Sequence, residues 1–253
     1  MLHFSVFIEI FSGVGRLGKS IARHCGWPVL VWDILLGPQY DLTKRCNQQL
    51  ILHWMRSGMI RAGHLGTPCN SFSRARDQPG GPPPLRSDSK PLGLDNLRDH
   101  DVIKVRIGNN LMRYSVRVLL LAIYLHLPFT LENPQRSRLW ICPPMKQLLK
   151  RRYVFTQDIE FCAFGTPWKK STKFLSVHMA LDLLQQYRCI GSKRGLCAFS
   201  GCPHIPLSGQ DKKGNWMTKV AEPYPWKLTR LLATAFMNTD LALVATEFAR
   251  HLQ

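Results

Sequence analysis

Segments of strand length alternate with segments of helical periodicity along this chain. His3–Ile10 and Pro28–Ile34 have the composition of buried strands, and Leu17–Cys25 between them has helical spacing. Ile60–Leu65 and Phe129–Leu131 repeat the strand pattern after further predicted helices. Strands that alternate with helices pair in parallel and carry helices on both faces. The sequence therefore predicts a mostly parallel, doubly wound α/β sheet.

The remaining segments are of other kinds. Residues 70–100 are rich in proline and glycine and have little apolar periodicity, which predicts a long functional or disordered loop. Residues 185–222 are rich in glycine, cysteine and lysine and predict a small irregular insert before a last helix near Pro225–Phe236. We expect an α/β domain at 1–180, a small module at 181–223, and a helical segment at 224–253 that packs back on the domain.

The charge of the chain indicates its kind of partner. Lysine and arginine number 34 against 16 acidic residues, a formal net charge of +18. Such an excess favours a polyanion, most simply nucleic acid, over an acidic membrane surface or a basic surface that only maintains solubility. The longest apolar stretch, Val118–Leu125, is too short to span a bilayer, so no membrane partner is expected. No feature indicates an obligate protein partner.

Scattered cysteines and the amino-terminal residues predict an intracellular protein. The eight cysteines show no disulfide framework, and a chain of this size needs none, which favours a reducing compartment. Residues 1–15 are apolar but include Glu9 and no basic leader, which argues against a signal peptide.

The first predicted strand leads into a turn with two glycines, Phe11-Ser12-Gly13-Val14-Gly15. Glycines let the backbone approach a cofactor closely, and an acid that ends the next strand, here Asp33, can bind ribose hydroxyls. The turn lacks the spacing of a dinucleotide site, so an adenosine cofactor without phosphates fits better. A tight turn of purely structural role explains the pattern about as well.

Two further strands end in residues that could do chemistry. Thr67-Pro68-Cys69 follows one strand and Leu131-Glu132-Asn133-Pro134 ends another. Chemistry in open α/β sheets gathers at the carboxyl ends of strands. Taken singly, each has a plain structural explanation, because Cys69 could be a small buried apolar residue and Glu132 a turn acid.

The order of these motifs resembles the DNA cytosine-5 methyltransferase family. That order is FxGxG, the strand-end acid, Asp-Leu-Thr at 41–43, Pro-Cys, Glu-Asn, and FGxPxxK at 164–170. The match spans residues 7–177 and is nearest to short, divergent members with TPC and ENP motifs. The resemblance implies a Rossmann-like class I methyltransferase fold. It also implies S-adenosylmethionine as cofactor and methyl transfer to C5 of a cytosine in nucleic acid, with DNA favoured over RNA.

The resemblance also implies the roles of single residues. Cys69 would attack C6 of the cytosine, which makes the poorly nucleophilic C5 reactive, and Glu132 would hold N3 and the exocyclic amine. The implied cofactor pocket comprises Phe11, Gly13, Gly15, Trp32, Asp33, Ile34 and Asp41. The residues expected to contact nucleic acid are Ser73, Arg74, Arg76, Lys169 and Lys173.

One motif departs from the family. Trp168, Lys170 and Thr172 stand where the family has a glutamine and two arginines. Lys170 can supply one charge without the bidentate geometry, so we count it with Cys69 and Glu132 as catalytic. Thr172 cannot act as a cationic donor to the cytosine O2. Lys169 or Lys173 is expected to supply this donor instead.

Two alternative functions therefore stay open. The first is a catalytically degenerate, methyltransferase-fold protein that binds nucleic acid. The second is an amino-methyltransferase, which would need a D/N/S-P-P-aromatic motif, whereas Gln135 follows Pro134 here.

The module at 181–223 lies where the family carries target recognition. The module contains a C-x7-C-x4-C-x-H pattern, formed by Cys189, Cys197, Cys202 and His204. Only the C-x4-C part of this pattern approaches the spacing of structural zinc sites. A Zn²⁺ site and a loop with unrelated thiols are both compatible with it. The basic residues around it are expected to contact phosphates: Lys193, Arg194, Lys212 and Lys213.

Overall fold

The computed structural model of the chain describes residues 5–78, 81–191, 195–210, 214 and 216–251. The four basic residues expected to contact phosphates around the module, Lys193, Arg194, Lys212 and Lys213, lie outside these ranges. None of the helices in the described ranges is both long and apolar enough to cross a membrane.

A six-stranded sheet forms the centre of the fold, with the strand order β2-β1-β3-β4-β6-β5. The first four strands pair in parallel, and β6 runs antiparallel to both of its neighbours. This arrangement confirms the expected Rossmann-like, mostly parallel α/β fold. The strands are β1 Val6–Ile10, β2 Val29–Trp32, β3 Ile60–Leu65, β4 Phe129–Pro134, β5 Val154–Glu160 and β6 Ser171–Val177.

Helices cover both faces of the sheet, as the alternating pattern predicts. They are α1 Arg16–Cys25, α2 Arg45–Arg56, α3 Asp99–Tyr124, α4 Pro143–Leu148, α5 Met217–Val220 and α6 Trp226–His251. The side chains of β1 alternate between two apolar clusters because successive residues of a strand point to opposite faces. Ile8 and Ile10 pack in the cluster that includes α2, α3 and α4, whereas Phe7 packs with α1 and α6.

The last helix, α6, is longer than the sequence pattern predicts, since it continues to His251 rather than ending near Phe236. It packs against α1, where the Ser20 hydroxyl donates to the Thr229 hydroxyl oxygen over 2.7 Å. Leu181 and Leu184, which open the expected module, are buried in the same apolar cluster as α6. The division of the chain at residue 180 stays a prediction.

The long loop between β3 and α3 is built around a buried arginine. The Arg86 side chain is 1% exposed and lies 3.7 Å from the centre of the Phe72 ring. Burial lowers the pKa of its guanidinium to about 10. It donates to neutral oxygens of Ser71, Pro91, Val105 and Asn109. Because Ser71 and Phe72 closely follow Cys69, Arg86 fixes the chain that leaves the predicted nucleophile.

Candidate active site

Four parallel strands end at the same level of the sheet. Trp32, Ile10, Leu65 and Leu131 lie side by side in register across β2, β1, β3 and β4. The next residue of each strand therefore reaches the same edge. These four residues are Asp33, Phe11, Gly66 and Glu132. The predicted cofactor residues Asp33 and Phe11 therefore lie at the same carboxyl edge as Glu132, which is predicted to be catalytic.

A cavity of about 310 Å³ opens at this edge. The predicted cofactor residues Phe11, Asp33, Ile34 and Asp41 line it, together with Gly66 and Pro68. Trp32 lies behind the wall, where its indole N–H donates to the carbonyl oxygen of Tyr40, another lining residue. Gly13 and Gly15 do not line the cavity but shape the turn next to it.

The turn after β1 adopts a backbone that few side chains allow. Phe11, Gly13 and Gly15 have φ angles of 57°, 53° and 67°. Glycine takes such angles freely, whereas a side chain such as that of Phe11 costs about 1–2 kcal/mol. The amide of Gly13 donates to Oδ2 of Asp33 over 2.8 Å, and the amide of Leu35 donates to Oδ1 over 2.9 Å. Asp33 thus ties the turn to the end of β2 at the edge of the cavity.

Glu9 supports the same turn from inside β1. It was not among the residues that the sequence predicts to form the site. Its Oε2 accepts from the amide of Gly18 over 2.7 Å, and burial raises the pKa of the carboxyl to about 7. A Cβ at Gly18 would lie only 2.8 Å from this oxygen, so the helix can approach Glu9 only with glycine there. A carboxylate within an otherwise apolar strand is the sequence signal that could have identified it.

Cys69 is half-buried in the loop after β3. Burial, and secondarily the negative charge of Glu132, raise the pKa of its thiol to about 11, while Lys170 opposes this shift. Nζ of Lys170 lies 3.7 Å from Oε1 of Glu132. The structure therefore brings the three residues predicted to be catalytic within electrostatic range of one another.

The raised pKa of the Cys69 thiol predicts that the rate of its alkylation depends on pH. Below a pKa of about 11 the thiolate fraction rises with pH, so the rate of reaction with iodoacetamide should increase about tenfold per pH unit between pH 7 and 9. Because the charge of Glu132 raises this pKa, Glu132→Gln should accelerate alkylation at a fixed pH. Mass spectrometry of the Cys69 peptide measures the rate, and the peptide of the exposed Cys46 serves as internal reference. A rate that does not change with pH would contradict this description of Cys69.

The loop that carries Cys69 is fixed to the end of β4. The side-chain amide of Asn133 donates to the carbonyl oxygen of Thr67 over 2.7 Å, and both groups are buried. The Thr67 hydroxyl in turn lies 2.8 Å from the Ser115 hydroxyl on α3. Asn133 therefore connects the Pro-Cys loop with β4, the strand that carries Glu132.

Tyr224 and His64 extend the site through a buried hydrogen-bond chain that the sequence analysis missed. The Tyr224 hydroxyl donates to Oε2 of Glu132 over 3.3 Å and lies 2.9 Å from Nε2 of His64. Nδ1 of His64 lies 2.7 Å from the Thr130 hydroxyl. Burial lowers the pKa of His64 to about 3 and raises that of Tyr224 well above its usual value. No sequence signal connects Tyr224 with a residue 92 positions away.

Several buried polar atoms at the site lack a hydrogen-bond partner among the described residues. They include Oε1 of Glu132, Oδ1 of Asn133 and the indole nitrogen of Trp168. Unpaired buried polar atoms are uncommon and costly, and at a functional site they are available to a ligand. Oε1 of Glu132 in particular can accept a hydrogen bond from a bound molecule.

Lys169 and Lys173, which were expected to replace the missing arginine, both contact other residues of the chain, and the expectation stays a prediction. The ammonium group of Lys169 donates to the carbonyl oxygen of Cys189 over 2.8 Å, and that of Lys173 lies 3.2 Å from Oδ1 of Asp158. Thr172 is fully buried on β6. Lys170 is the lysine of this segment that pairs with Glu132.

The loop residues expected to contact nucleic acid make contacts within the chain. The Ser73 hydroxyl oxygen accepts from the amide of Ala75. The guanidinium of Arg74 donates to Asp88, and that of Arg76 donates to the carbonyl oxygen of Pro83. These contacts hold the loop near Cys69. Contact of Ser73, Arg74, Arg76, Lys169 or Lys173 with nucleic acid stays a prediction.

The predicted metal ligands only partly converge. Cys189, Cys197 and His204 lie together, but the fourth member of the cluster is Cys162 rather than Cys202. Cys202 is exposed, and its backbone carbonyl accepts from the amide of Cys197. Cys162 was missed because it lies 27 positions before Cys189, in the turn after β5, far outside the spacing that suggested the site.

Comparison with known proteins gives similarity only to solved structures. No protein-family model matches the chain, and no curated protein matches it. The Entamoeba histolytica methyltransferase EhMeth is 12% identical with a TM-score of 0.38, covering 68% of this chain and 52% of that one. The S. pombe Dnmt2 methyltransferase is 14% identical with a TM-score of 0.40, covering 76% and 57%. A mutant of Spodoptera frugiperda DNMT2 is 16% identical with a TM-score of 0.38, covering 68% and 49%.

These similar structures are methyltransferases, and the chain spans about half of their length. Similarity at this level carries no argument about activity. The strand order and register of the chain itself define its fold, and the residues of the site provide the evidence for its function.

Proposed function

We propose that this chain is an S-adenosylmethionine-dependent methyltransferase that modifies C5 of a cytosine in nucleic acid. The observation that carries the proposal is the convergence of Cys69, Glu132 and Lys170 at one strand edge, beside the cavity that Asp33 and Asp41 line. Addition of a thiolate to a nucleobase needs a thiol and charged groups that stabilise the base, and these three residues supply them. The neighbouring cavity suits the methyl donor.

The cavity suits an adenosine cofactor. Two carboxylates at its wall, Asp33 and Asp41, can accept hydrogen bonds from ribose hydroxyls and an adenine amine, and Ile34 and Leu111 supply apolar surface. Among the described residues that line the cavity there is no lysine or arginine, which disfavours a phosphate-bearing cofactor. When bound, S-adenosylmethionine supplies an electrophilic methyl group on its sulfonium sulfur.

The residues of the chain would act on the cytosine in a defined order. Cys69 loses its proton to solvent, and its sulfur forms a bond to C6, which moves an electron pair to C5. C5 forms a bond to the methyl carbon, whose bond to sulfur breaks. Loss of the C5 proton to solvent then expels the Cys69 thiolate and restores the C5–C6 double bond. The expelled thiolate takes back one proton from solvent, so the net change is replacement of a hydrogen by a methyl group, with one proton released.

Glu132 and Lys170 would lower the barrier to the first step. Oε1 of Glu132 lies 3.7 Å from Nζ of Lys170 and accepts no hydrogen bond from a described residue. It can therefore accept one from the exocyclic amine of cytosine or from a protonated N3. Stabilising charge on the ring favours attack at C6. The ammonium group of Lys170 lowers the pKa of the Cys69 thiol against the opposing effects of burial and Glu132. Tyr224 would position Glu132 through the hydrogen bond that its hydroxyl donates to Oε2.

The net charge of +18 supports a nucleic-acid substrate, with DNA favoured over RNA. In a duplex the target carbon is covered by stacking, so the base would have to leave the helix to reach Cys69. The loop of residues 70–78 follows Cys69 directly and carries Arg74 and Arg76, which suits contact with the flipped base or its phosphates.

A catalytically degenerate nucleic-acid-binding protein is the second candidate. The observation that favours it is the burial of Thr172, which leaves no cationic donor at the position where the resembled family has an arginine. The two candidates differ in whether a covalent intermediate forms.

A cytosine analogue with fluorine at C5 tests the proposal. Addition of Cys69 and methyl transfer would proceed, but fluorine cannot leave as the proton does, so the protein should remain bound covalently to the oligonucleotide. Denaturing electrophoresis should show a slower species that requires S-adenosylmethionine. Cys69→Ser should abolish this species, and Cys46→Ser, which alters an exposed thiol on α2, should retain it.

Both DNA and RNA oligonucleotides carrying the analogue are needed, because the substrate class is itself part of the proposal. Methyl transfer to unmodified nucleic acid without a Cys69-dependent adduct would exclude the C5 mechanism. Binding without methyl transfer or adduct on either substrate would favour the degenerate protein.

A further inference from the structure

A second cluster of reactive side chains lies beside the turn that follows β5. The Sγ atoms of Cys162, Cys189 and Cys197 and a ring nitrogen of His204 all lie within 4.8 Å of one another. The three cysteines are buried and none forms a disulfide. Thiolate and imidazole are the ligands that structural zinc sites use.

Two separations within the cluster are close to those of ligands around a tetrahedral ion. Sγ of Cys189 lies 3.9 Å from Sγ of Cys197 and 3.8 Å from Nε2 of His204. Zinc bonds of about 2.3 Å to sulfur and about 2.0–2.1 Å to nitrogen, at tetrahedral angles, separate the ligand atoms by about 3.6–3.8 Å. A disulfide would instead bring two sulfurs to about 2.05 Å.

We propose that Cys162, Cys189, Cys197 and His204 bind one Zn²⁺ ion in a closed structural site. Four protein ligands complete the tetrahedron and leave no position for a reacting water, so the ion would stabilise structure rather than take part in chemistry. The proposal does not depend on whether the chain transfers methyl groups.

Groups around the cluster are arranged to support metal-bound thiolates. The amide of Ala198 donates to Sγ of Cys189, and the amide of Phe199 donates to Sγ of Cys197, each over 3.4 Å. Such donors stabilise negative charge on sulfur and orient the ligands. The backbone of Cys189 is held as well, because its amide donates to Oε2 of Glu160 over 2.7 Å.

The position of the ion connects the insert with the candidate active site. Cys162 belongs to the turn that leads to Lys170, whereas the other three ligands belong to residues 189–204. The amide of Ile205 also donates to the carbonyl oxygen of Pro167 in this turn, over 2.8 Å. Zinc would therefore clamp the insert onto the segment that places Lys170 beside Glu132.

Elemental analysis of the purified full chain tests the ligand set, with one cysteine as a matched control. Wild-type protein should hold about one zinc per chain, and Cys162→Ser should lose most of it. Cys202→Ser, which alters the neighbouring exposed cysteine, should keep about one zinc per chain. Wild-type protein that contains no zinc, or contains iron instead, would overturn the proposal. So would loss of zinc from Cys202→Ser with retention in Cys162→Ser.

Cobalt substitution keeps the test valid if Cys162→Ser does not fold. Wild-type protein stripped by a chelator and titrated with Co²⁺ should develop the intense visible and thiolate charge-transfer absorption of a tetrahedral site, which Zn²⁺ then removes. His204→Ala, at the half-buried margin of the cluster, should weaken Co²⁺ binding at least about tenfold while retaining the thiolate bands. Only the weak spectrum of six-coordinate Co²⁺ in wild-type protein would show that the four residues do not form this site.

Discussion

Cys69→Ser is expected to lower the rate of methyl transfer at least about 1000-fold, the scale of losing an enzyme nucleophile. A serine hydroxyl is far less acidic than a thiol and a much weaker nucleophile, so addition to C6 would nearly stop. The pKa of the Cys69 thiol is already raised to about 11 by burial and by Glu132, and a hydroxyl in the same place would be still harder to ionise. Transfer of a radiolabelled methyl group to DNA and RNA measures the loss.

The same variant should leave cofactor affinity almost unchanged, because the cofactor cavity is lined by Asp33 and Asp41 while Cys69 faces Glu132 and Lys170. Isothermal calorimetry should give a Kd for S-adenosylmethionine within about threefold of the wild-type value, a difference under about 1 kcal/mol. Cys46→Ser, an exposed substitution, should match wild type in both measurements. Methyl transfer by Cys69→Ser at a rate close to wild type would refute the assignment of the nucleophile.

Arg86→Met is expected to lower the free energy of unfolding by about 3–5 kcal/mol, because it removes the donors that several buried acceptors share. Methionine can fill the space over the Phe72 ring. It cannot donate to the oxygens of Ser71, Pro91, Val105 and Asn109, which would remain buried without these partners. Urea denaturation followed by circular dichroism measures the change.

Arg56→Met provides the matched control for this measurement. The Arg56 side chain is exposed, and its guanidinium donates to the carbonyl oxygen of Leu52 in the same helix. Its substitution should change stability by less than about 0.5 kcal/mol. If Arg86→Met lowers the free energy of unfolding no more than Arg56→Met does, the loop around Cys69 is not organised by the buried guanidinium.

Local patterns in the sequence predicted the framework of the site. Alternating strand and helix patterns indicated parallel pairing, and parallel pairing places the ends of neighbouring strands at one edge. Asp33 directly follows its strand, Glu132 lies near the end of β4, and Cys69 lies in the loop after β3. These positions were enough to predict that the three residues would lie at one edge. The proline-rich loop was predicted as a loop, but nothing in its composition indicated that Arg86 would be buried at its centre.

Contacts between distant parts of the chain were decided by the tertiary structure alone. Which lysine reaches Glu132 depends on the direction of each side chain. Lys169 and Lys173 contact Cys189 and Asp158. Lys170 lies 3.7 Å from Glu132, and it also donates to the carbonyl oxygen of Ala221. The C-x4-C spacing suggested Cys202 as a metal ligand, yet in the folded chain Cys162 is the fourth member of the cluster.

Tyr224 shows the same limit of sequence patterns most directly. The packing of α6 against α1 brings Tyr224, which lies two residues before α6, to Glu132 over a separation of 92 residues. Periodicity and motif order describe what neighbours in the sequence do together, and they determined the strands, the shared edge and the main reactive groups. Side-chain partners across the core follow from how helices and strands pack, and for that reason only the folded structure revealed the Tyr224 contact, the buried Arg86 and the four-residue cluster.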